Sequence, residues 1–370
     1  MIDKNKKTKI AFYINVLIKG GAERVMSQLA NQFSEHGYEV YMITSFQDEE
    51  EYTLGDQVKR INLEKEQDFG DRIKRNIRLI FKLRRVLKSI KPDMIVSFMQ
   101  EPNFRAILAA RGLGIKNIVS VRNDPNKEYG GKIGWIVGKV LLPLADGCVF
   151  ETEEARSWFP RKLQKKSKII FNEVDKSFFD TEWHPKGQTV VTIGRLAEQK
   201  NQQMLIKAFS GIASRFPVSR LEIYGEGPLK DQLQELINTL HIQDRAFLMG
   251  NIDHVNEVLS KARVFVLPSD YEGMPNALLE ALAVGVPCIA TDCPCGGPRM
   301  LIKNGVNGFL ISVGDAEGLQ ESIQTLLLDE QMAENISLAE TNTARKFKSD
   351  KVYQEWNEYF ELIMRANTKC

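Results

Sequence analysis

The sequence predicts an α/β protein made of two doubly wound parallel sheets. Short apolar strands alternate with amphipathic helical stretches from one end of the chain to the other, which is the pattern of strands joined by crossover helices. Glycine or proline closes several of those strands just before the next helix, as at Gly20-Gly21, Gly194 and Pro268. At 370 residues the chain is long for one core and comfortable for two. The boundary is expected in Asn172 to Gly187, a stretch without clear period and rich in turn formers and charge. It separates a first domain, 1–175, from a second, 176–349.

Composition removes several classes of function. Hydrophobic content of 43% with 26% charged residues is that of a soluble globular protein. The net charge of +2 carries little weight beside the distribution of charge. Five cysteines, an odd number without framework spacing, suit a reduced cytosol. Cys293-Pro-Cys295 is too close for a routine metal pair, and no D-x-D loop or His/Asp cluster suggests a metal. Without a G-x-G-x-x-G turn no dinucleotide cofactor is expected, and no cofactor or nucleic-acid partner of any kind. Met1 to Lys9 is too charged for a signal peptide. The longest apolar run, Ile133 to Ala145, is broken by Lys139 and is shorter than the ~20 residues that span a bilayer.

In the first half, strands are expected at Thr8–Asn15, Tyr38–Ser45, Val58–Leu63, Asp93–Phe98, Asn117–Val121, Asp146–Glu151 and Lys168–Phe171. Between them lie helical patterns after Gly21, over Asp71–Lys91, Glu101–Arg111, Gly131–Leu144 and Glu153–Trp158. Gly20-Gly21-Ala-Glu-Arg24 follows the first strand, and glycines there allow close backbone approach to a ligand. Arg122-Asn123-Asp-Pro follows the Asn117–Val121 strand, at the end where open α/β sheets bind ligands.

In the second half, strands are expected at Val190–Arg195, Leu221–Gly225, Ala246–Gly250, Arg263–Leu267 and Val286–Ala290, with Gly305–Ile311 and helices closing the domain. Gly194-Arg195-Leu-Ala-Glu-Gln-Lys200-Asn sets two cations beyond a strand's carboxyl end, where they can neutralise a leaving group. The stretch Ser269-Asp-Tyr-Glu272-Gly273-Met274-Pro-Asn276-Ala277-Leu278-Leu-Glu280 runs from a loop into a helix whose first turn suits Pro275. Leu278, Leu279 and Leu282 share the inward face, and Glu280 falls nearly opposite it. The amides at Asn276–Leu278 make an anion site suited to a diphosphate. Glu280 suits vicinal hydroxyls such as a ribose diol, and Glu272 a second polyol.

Glu-x7-Glu behind a V-F-V-L-P-S strand, with G-R-L-A-E-Q-K-N upstream and G-G-A-E-R near the start, resembles the retaining GT-B glycosyltransferases of family 4. The resemblance can be followed over nearly the whole chain. It implies a GT-B fold, two Rossmann-like domains facing across a cleft, with a C-terminal helix (350–370, Asp350 to Met364) packing back on the first. It implies transfer of a hexosyl or N-acetylhexosaminyl group from a nucleotide sugar, most often UDP-linked, to a hydroxyl. Glu272 then meets the donor sugar and Glu280 the ribose. Arg195 and Lys200 hold the diphosphate, and the backbone of Gly194, Gly273, Met274, Asn276, Ala277 and Leu278 lies around the donor. Asn251-Ile252 meets the base. Gly20, Gly21 and Arg24 face the acceptor. The family's first-domain histidine is missing: none of His36, His184, His241 or His254 is near Arg122, so Arg122 or Asn123 is the candidate substitute, the alternative being a plain loop. Catalysis is assigned to Arg195, Lys200 and Glu272. With no carboxylate placed as a nucleophile, same-face attack is expected. A nucleotide-sugar epimerase, a transferase acting on a small soluble acceptor, and a binding module without turnover are the competing readings.

Asp71 to Lys88 carries eight cations against one acid, Asp71. Ile73, Ile77, Ile80, Leu83, Leu87 and Ile90 recur at three and four residues and predict a core face with the cations largely outside it. Such a helix is attracted to an anionic membrane surface or a polyprenyl diphosphate. Its position resembles a helix that holds the acceptor's diphosphate in bacterial transferases extending undecaprenyl-diphosphate-linked oligosaccharides, which implies that role for Arg78, Lys82 and Arg85. The Lys4–Lys9 cluster, Arg161–Lys168 and the apolar helix around Trp135 would widen the footprint. The enzyme is therefore expected in the cytoplasm, peripheral on the inner face of the cell membrane, with a polyprenyl-diphosphate-linked saccharide as acceptor.

Overall fold

The computed structural model describes residues 7–18, 20–66 and 70–366. The chain divides into two compact units, Met1–Phe171 with Val352–Cys370, and Asn172–Lys351. Part of the Lys4–Lys9 cluster lies outside the described residues.

The first unit holds seven strands: β1 (Lys9–Ile14), β2 (Glu39–Thr44), β3 (Lys59–Asn62), β4 (Met94–Phe98), β5 (Lys116–Val121), β6 (Gly147–Phe150) and β7 (Ser167–Ile169). All are parallel, in the order β3-β2-β1-β4-β5-β6-β7. Ile10 of β1 pairs with Val40 on one side and Met94 on the other, so the strand order reverses direction beside β1. Both faces are covered, which is why β1 reads as a continuous apolar run. Ile10, Phe12 and Ile14 pack with helices Gly21–Glu35 and Ser349–Arg365, while Ala11 and Tyr13 pack with Arg72–Ile90 and Gln100–Ala110.

The last helix buries Val352, Trp356, Tyr359, Phe360 and Ile363, the set its spacing predicts. Tyr359 Oη accepts from the Cys148 amide at 2.8 Å and donates to the Lys166 carbonyl at 2.5 Å. Gly147 is glycine for a plain reason: a Cβ there would sit 2.5 Å from that hydroxyl.

The second unit repeats the plan with β8 (Thr189–Ile193), β9 (Arg220–Tyr224), β10 (Ala246–Gly250), β11 (Val264–Leu267), β12 (Cys288–Thr291) and β13 (Phe309–Ile311). Its order is β10-β9-β8-β11-β12-β13, again all parallel. The reversal falls between β8 and β11.

Three differences from the sequence expectations have physical causes. Asn172–Gly187 is no free linker but part of the second unit: Asp175 caps a short helix at Lys176–Phe179, and Trp183 Nε1 donates to the Ala262 carbonyl at 2.7 Å. Segments that short carry no period. A helix at Val255–Lys261 gives no clear signal in the sequence because seven residues span only two turns. In helix Arg72–Ile90 the core face is Leu79, Leu83 and Leu87, whereas Ile73 (68% exposed) and Ile77 (50%) face outward together with Phe81. The period is real, but only its second half finds a partner.

Trp356 is fully buried against Phe98 and Phe360. Trp356→Ala should therefore cost about 3–5 kcal/mol in urea unfolding. Tyr359→Phe keeps its ring and should cost about 1 kcal/mol. Equal, negligible losses would mean the helix is not part of the first core.

Candidate active site

In a parallel sheet whose order reverses, the loops on either side of the reversal leave in opposite directions and open a crevice at the strands' carboxyl ends. In the second unit that place lies beyond Ile193 of β8 and Leu267 of β11. The predicted residues Gly194, Arg195, Lys200, Glu272, Gly273, Asn276 and Glu280 come from these two connections. Lys200 Nζ lies 2.6 Å from Glu272 Oε1, and Ser269 Oγ donates to the same oxygen at 2.7 Å. The two loops are zipped together: Asp270 N donates to Gln199 O at 2.9 Å, Gln199 Nε2 to Tyr271 O at 2.9 Å, and Asn201 Nδ2 to Asp270 Oδ1 at 2.7 Å. Gly194 lets the Lys200 stem cross it, since a Cβ there would meet Lys200 Cε at 3.3 Å. Arg195 is exposed, and its guanidinium has no hydrogen bond or ion pair among the described residues.

Helix Asn276–Val284 begins directly behind Glu272. Pro275 stands one position before it, and its carbonyl accepts from Leu278 N at 3.1 Å. That bond removes the Leu278 amide from the expected donor set and leaves Asn276 and Ala277 at the head of the helix. Asn172 Nδ2 fixes this head, donating to Asn276 Oδ1 at 2.7 Å and to Met274 O at 3.1 Å. Met274 and Leu278 are buried, so only their backbone can serve a ligand. Glu280 is not on an outward face as expected. The helix is buried from Leu278 to Val284, and Glu280 is 5% exposed.

Asn251 and Ile252 follow β10, whose Gly250 carbonyl accepts from the Gly225 amide at 2.8 Å. Two glycines of the glycine-rich turns after β9 and β12, which the sequence offers only as weak signals and outside the expected site set, are required by this geometry. A Cβ on Gly225 (φ +133) would lie 2.2 Å from the Gly194 carbonyl, and one on Gly297 would lie 1.8 Å from the Gly273 carbonyl. The sequence assigned no role to Ser269 and Asn172, which hold the site from behind.

The first unit has its own reversal, beside β1. Gly20 and Gly21 stand at the head of helix Gly21–Glu35, where the Gly20 carbonyl accepts from Arg24 N at 3.0 Å. Arg105, missed in the sequence, is buried here and donates to Asn15 Oδ1 and Asn76 Oδ1, both at 2.6 Å. Arg122 does not face outward as a substitute for the absent histidine. It is turned into the unit, 3.2 Å from Glu151 Oε1 and 4.5 Å from the Phe98 ring. Asn123 Oδ1 accepts from Asp124 N at 2.8 Å. Two of the three cations expected to meet the acceptor are also engaged: Arg78 Nε and Lys82 Nζ both donate to Glu64 Oε1, at 2.6 and 2.9 Å. Burial alone would raise the Glu64 carboxyl, but those bonds hold it below its usual value. Arg85 is exposed without an ion pair among the described residues.

Residues 173–343 match the family described as Glycosyl transferases group 1, and residues 19–178 that described as Glycosyltransferase Family 4. Among curated relatives, the GalNAc-alpha-(1->4)-GalNAc-alpha-(1->3)-diNAcBac-PP-undecaprenol alpha-1,4-N-acetyl-D-galactosaminyltransferase of Campylobacter jejuni is 28% identical over 97% of this chain and 99% of its own. A second protein of that bacterium, the N-acetylgalactosamine-N,N'-diacetylbacillosaminyl-diphospho-undecaprenol 4-alpha-N-acetylgalactosaminyltransferase, is 26% identical over 95% of this chain and 99% of its own. Among solved structures, Anabaena HepE in complex with UDP and glucose superposes with a TM-score of 0.80 at 19% identity, over 96% of this chain and 100% of that one.

Glu128 gives a test of the first unit's buried charges. Its Oε1 accepts from Gln100 N at 2.6 Å, and burial pushes its carboxyl up to about 8. A folded value above the unfolded one favours the protonated form, so this stabilisation is full below the unfolded value and is lost as the pH rises towards about 8. Glu128→Gln should flatten the fall of unfolding midpoint across that window. Parallel midpoint curves for variant and wild type would show the carboxyl is not held neutral.

Proposed function

Since the chain belongs to the group 1, family 4 glycosyltransferases and has their GT-B architecture, we propose that it transfers a hexosyl or N-acetylhexosaminyl group from a UDP-sugar to a hydroxyl of a polyprenyl-diphosphate-linked saccharide, with retention. The observation that carries the reading is the Lys200–Glu272 pair at the reversal of the second sheet, with Glu280 eight residues on. UDP as the nucleotide is supported by the ligand in the HepE complex, and the acceptor by the undecaprenyl-linked substrates in the relatives' names.

In this mechanism Glu280 accepts the ribose hydroxyls and the head of helix Asn276–Val284 receives the diphosphate. Arg195 and Lys200 neutralise the charge that grows on the departing phosphate oxygen. The bond from the anomeric carbon to that oxygen breaks, with its electron pair going to the phosphate. The acceptor oxygen bonds to the anomeric carbon on the same face and yields its proton to the departing oxygen. Glu272 holds the sugar's hydroxyls and keeps the Lys200 ammonium in position. Exposed cations of helix Arg72–Ile90, Arg85 and Lys88 among them, attract the acceptor's diphosphate and the anionic surface that carries it, by ~1 kcal/mol per cation near the membrane.

The direct test follows UDP release from several UDP-sugars with and without a lipid-linked acceptor, with mass and anomeric configuration of the product. Acceptor-dependent release with one added α-linked sugar is expected. An isomerised donor without acceptor would make the protein an epimerase, and bound but unconsumed donor a binding module.

Two sets of variants refine it. Glu280→Ala should weaken UDP by ~1.5–3 kcal/mol, the cost of hydrogen bonds to a charged group, while Glu272→Ala leaves UDP binding nearly intact and lowers turnover. Equal loss of UDP affinity in both would defeat the assignment. Arg195→Ala and Lys200→Ala should lower kcat more than they raise the donor KM, because their contacts strengthen in the transition state. A pure KM effect would confine them to ground-state binding.

A further inference from the structure

Gly131–Leu144 is helical throughout, as an α-helical turn (Gly131–Ile136), a wider π-helical one (Val137–Leu141) and a tight last turn (Leu142–Leu144). A surface helix normally turns its large apolar side chains inward. Here most of them face outward instead. The inward face carries Gly134 and Gly138, where a Cβ would come within 2.7 Å of the Tyr129 carbonyl and 2.6 Å of the Trp158 ring. The backbone therefore lies close on the unit there, with Val137 and Leu142 buried beside the glycines and most of the other bulky side chains pointing away. Ile133 is 76% exposed, and Trp135, Ile136, Val140 and Leu144 are each at least 50% exposed. A contiguous apolar patch of this kind marks a surface that something covers.

Charge identifies the occupant. Tyr129 to Ala145 contains Lys132 and Lys139 and no acid. Exposed Lys127, Arg161, Lys162 and Lys165 flank it, and helix Arg161–Gln164 packs against Leu142–Leu144. The next acid, Asp146, is engaged by the Asn117 amide at 2.8 Å and by Lys116 at 3.8 Å. A second copy of the chain would set this basic rim against its like, whereas an anionic bilayer complements it. The exposed stripe of Ile73, Ile77 and Phe81 lies on the same side of the sheet, because both helices pack against Gln100–Ala110.

We propose that Gly131–Leu144 inserts Ile133, Trp135, Ile136 and Val140 into the acyl boundary of an anionic bilayer, as an apolar anchor that does not depend on the basic helix. The proposal deepens the membrane-surface reading above and rests on it. Polar attraction fades when salt screens it, while burial of apolar surface does not. Helix Arg72–Ile90 thus brings the protein to the surface, and Gly131–Leu144 keeps it there.

The proposal is tested by flotation with phosphatidylcholine–phosphatidylglycerol vesicles at low and high salt. Wild type should stay bound at high salt, with Trp135 emission shifted to the blue and quenched by brominated lipid, and Trp135→Phe assigning that emission. Ile133→Asn/Ile136→Asn/Val140→Asn should lose salt-resistant partitioning by at least about tenfold, yet turn over a water-soluble acceptor as wild type does. Arg85→Gln/Lys88→Gln should bind less at low salt and keep its salt-resistant fraction. If wild type floats and the triple variant matches it, the anchor is wrong while the surface reading stands. If wild type never floats, both fall. A wild-type dimer that the triple variant dissolves into monomers, without flotation, would assign the patch to a second copy instead.

Discussion

A reversing parallel sheet imposes one constraint from which the rest of the candidate site follows: the loops beside the reversal must part at the strands' carboxyl ends. In the second unit the Lys200–Glu272 pair bridges that parting. Bringing an ammonium and a carboxylate to 2.6 Å at a mostly buried site carries a desolvation cost that the pair alone offsets poorly. The Ser269 hydroxyl shares Glu272 Oε1, and the Gln199, Asn201 and Asp270 bonds hold both backbones still. A structural role would not require a cation left poised beside them, yet Arg195 stands exposed at the same strand end. Such pre-organisation is what the proposed transfer asks of a site for a ligand whose charge changes during reaction.

The first unit has the same topology and uses its reversal differently. Its polar groups are turned inward, with Arg105 tying Asn15 to Asn76 and Arg122 set against Glu151 and Phe98. On one side of its sheet it presents exposed apolar and basic side chains, on Arg72–Ile90 and Gly131–Leu144, which both pack on Gln100–Ala110. The two units differ in where each places its side chains, not in the plan of the fold.

Most of this was legible in the sequence because parallel strands covered on both faces read as uniform apolar runs, and because glycine or proline marks the turns that follow them. Glu272, Lys200 and Arg195 were picked out by resemblance to a family pattern, and the fold brings the first two together. Contacts made across the fold were not. Glu64 takes Arg78 and Lys82 from a distance of fourteen and eighteen residues, and Glu151 takes Arg122 from the next strand. A helical period gives a face but not its partner, so Ile73 and Ile77 read as core. The apolar helix around Trp135 was expected to widen the basic footprint, but the part Gly134 and Gly138 play in turning it outward is a contact across the fold that the sequence does not show.

If the reversal beside β8 and β11 is the nucleotide site, a crystal structure of the protein with UDP bound tests it most directly. Ribose hydroxyls are expected on the Glu280 carboxylate, and diphosphate oxygens at the head of helix Asn276–Val284, beside Arg195 and Lys200. Ordered UDP at any place that leaves Glu280 untouched would contradict that assignment.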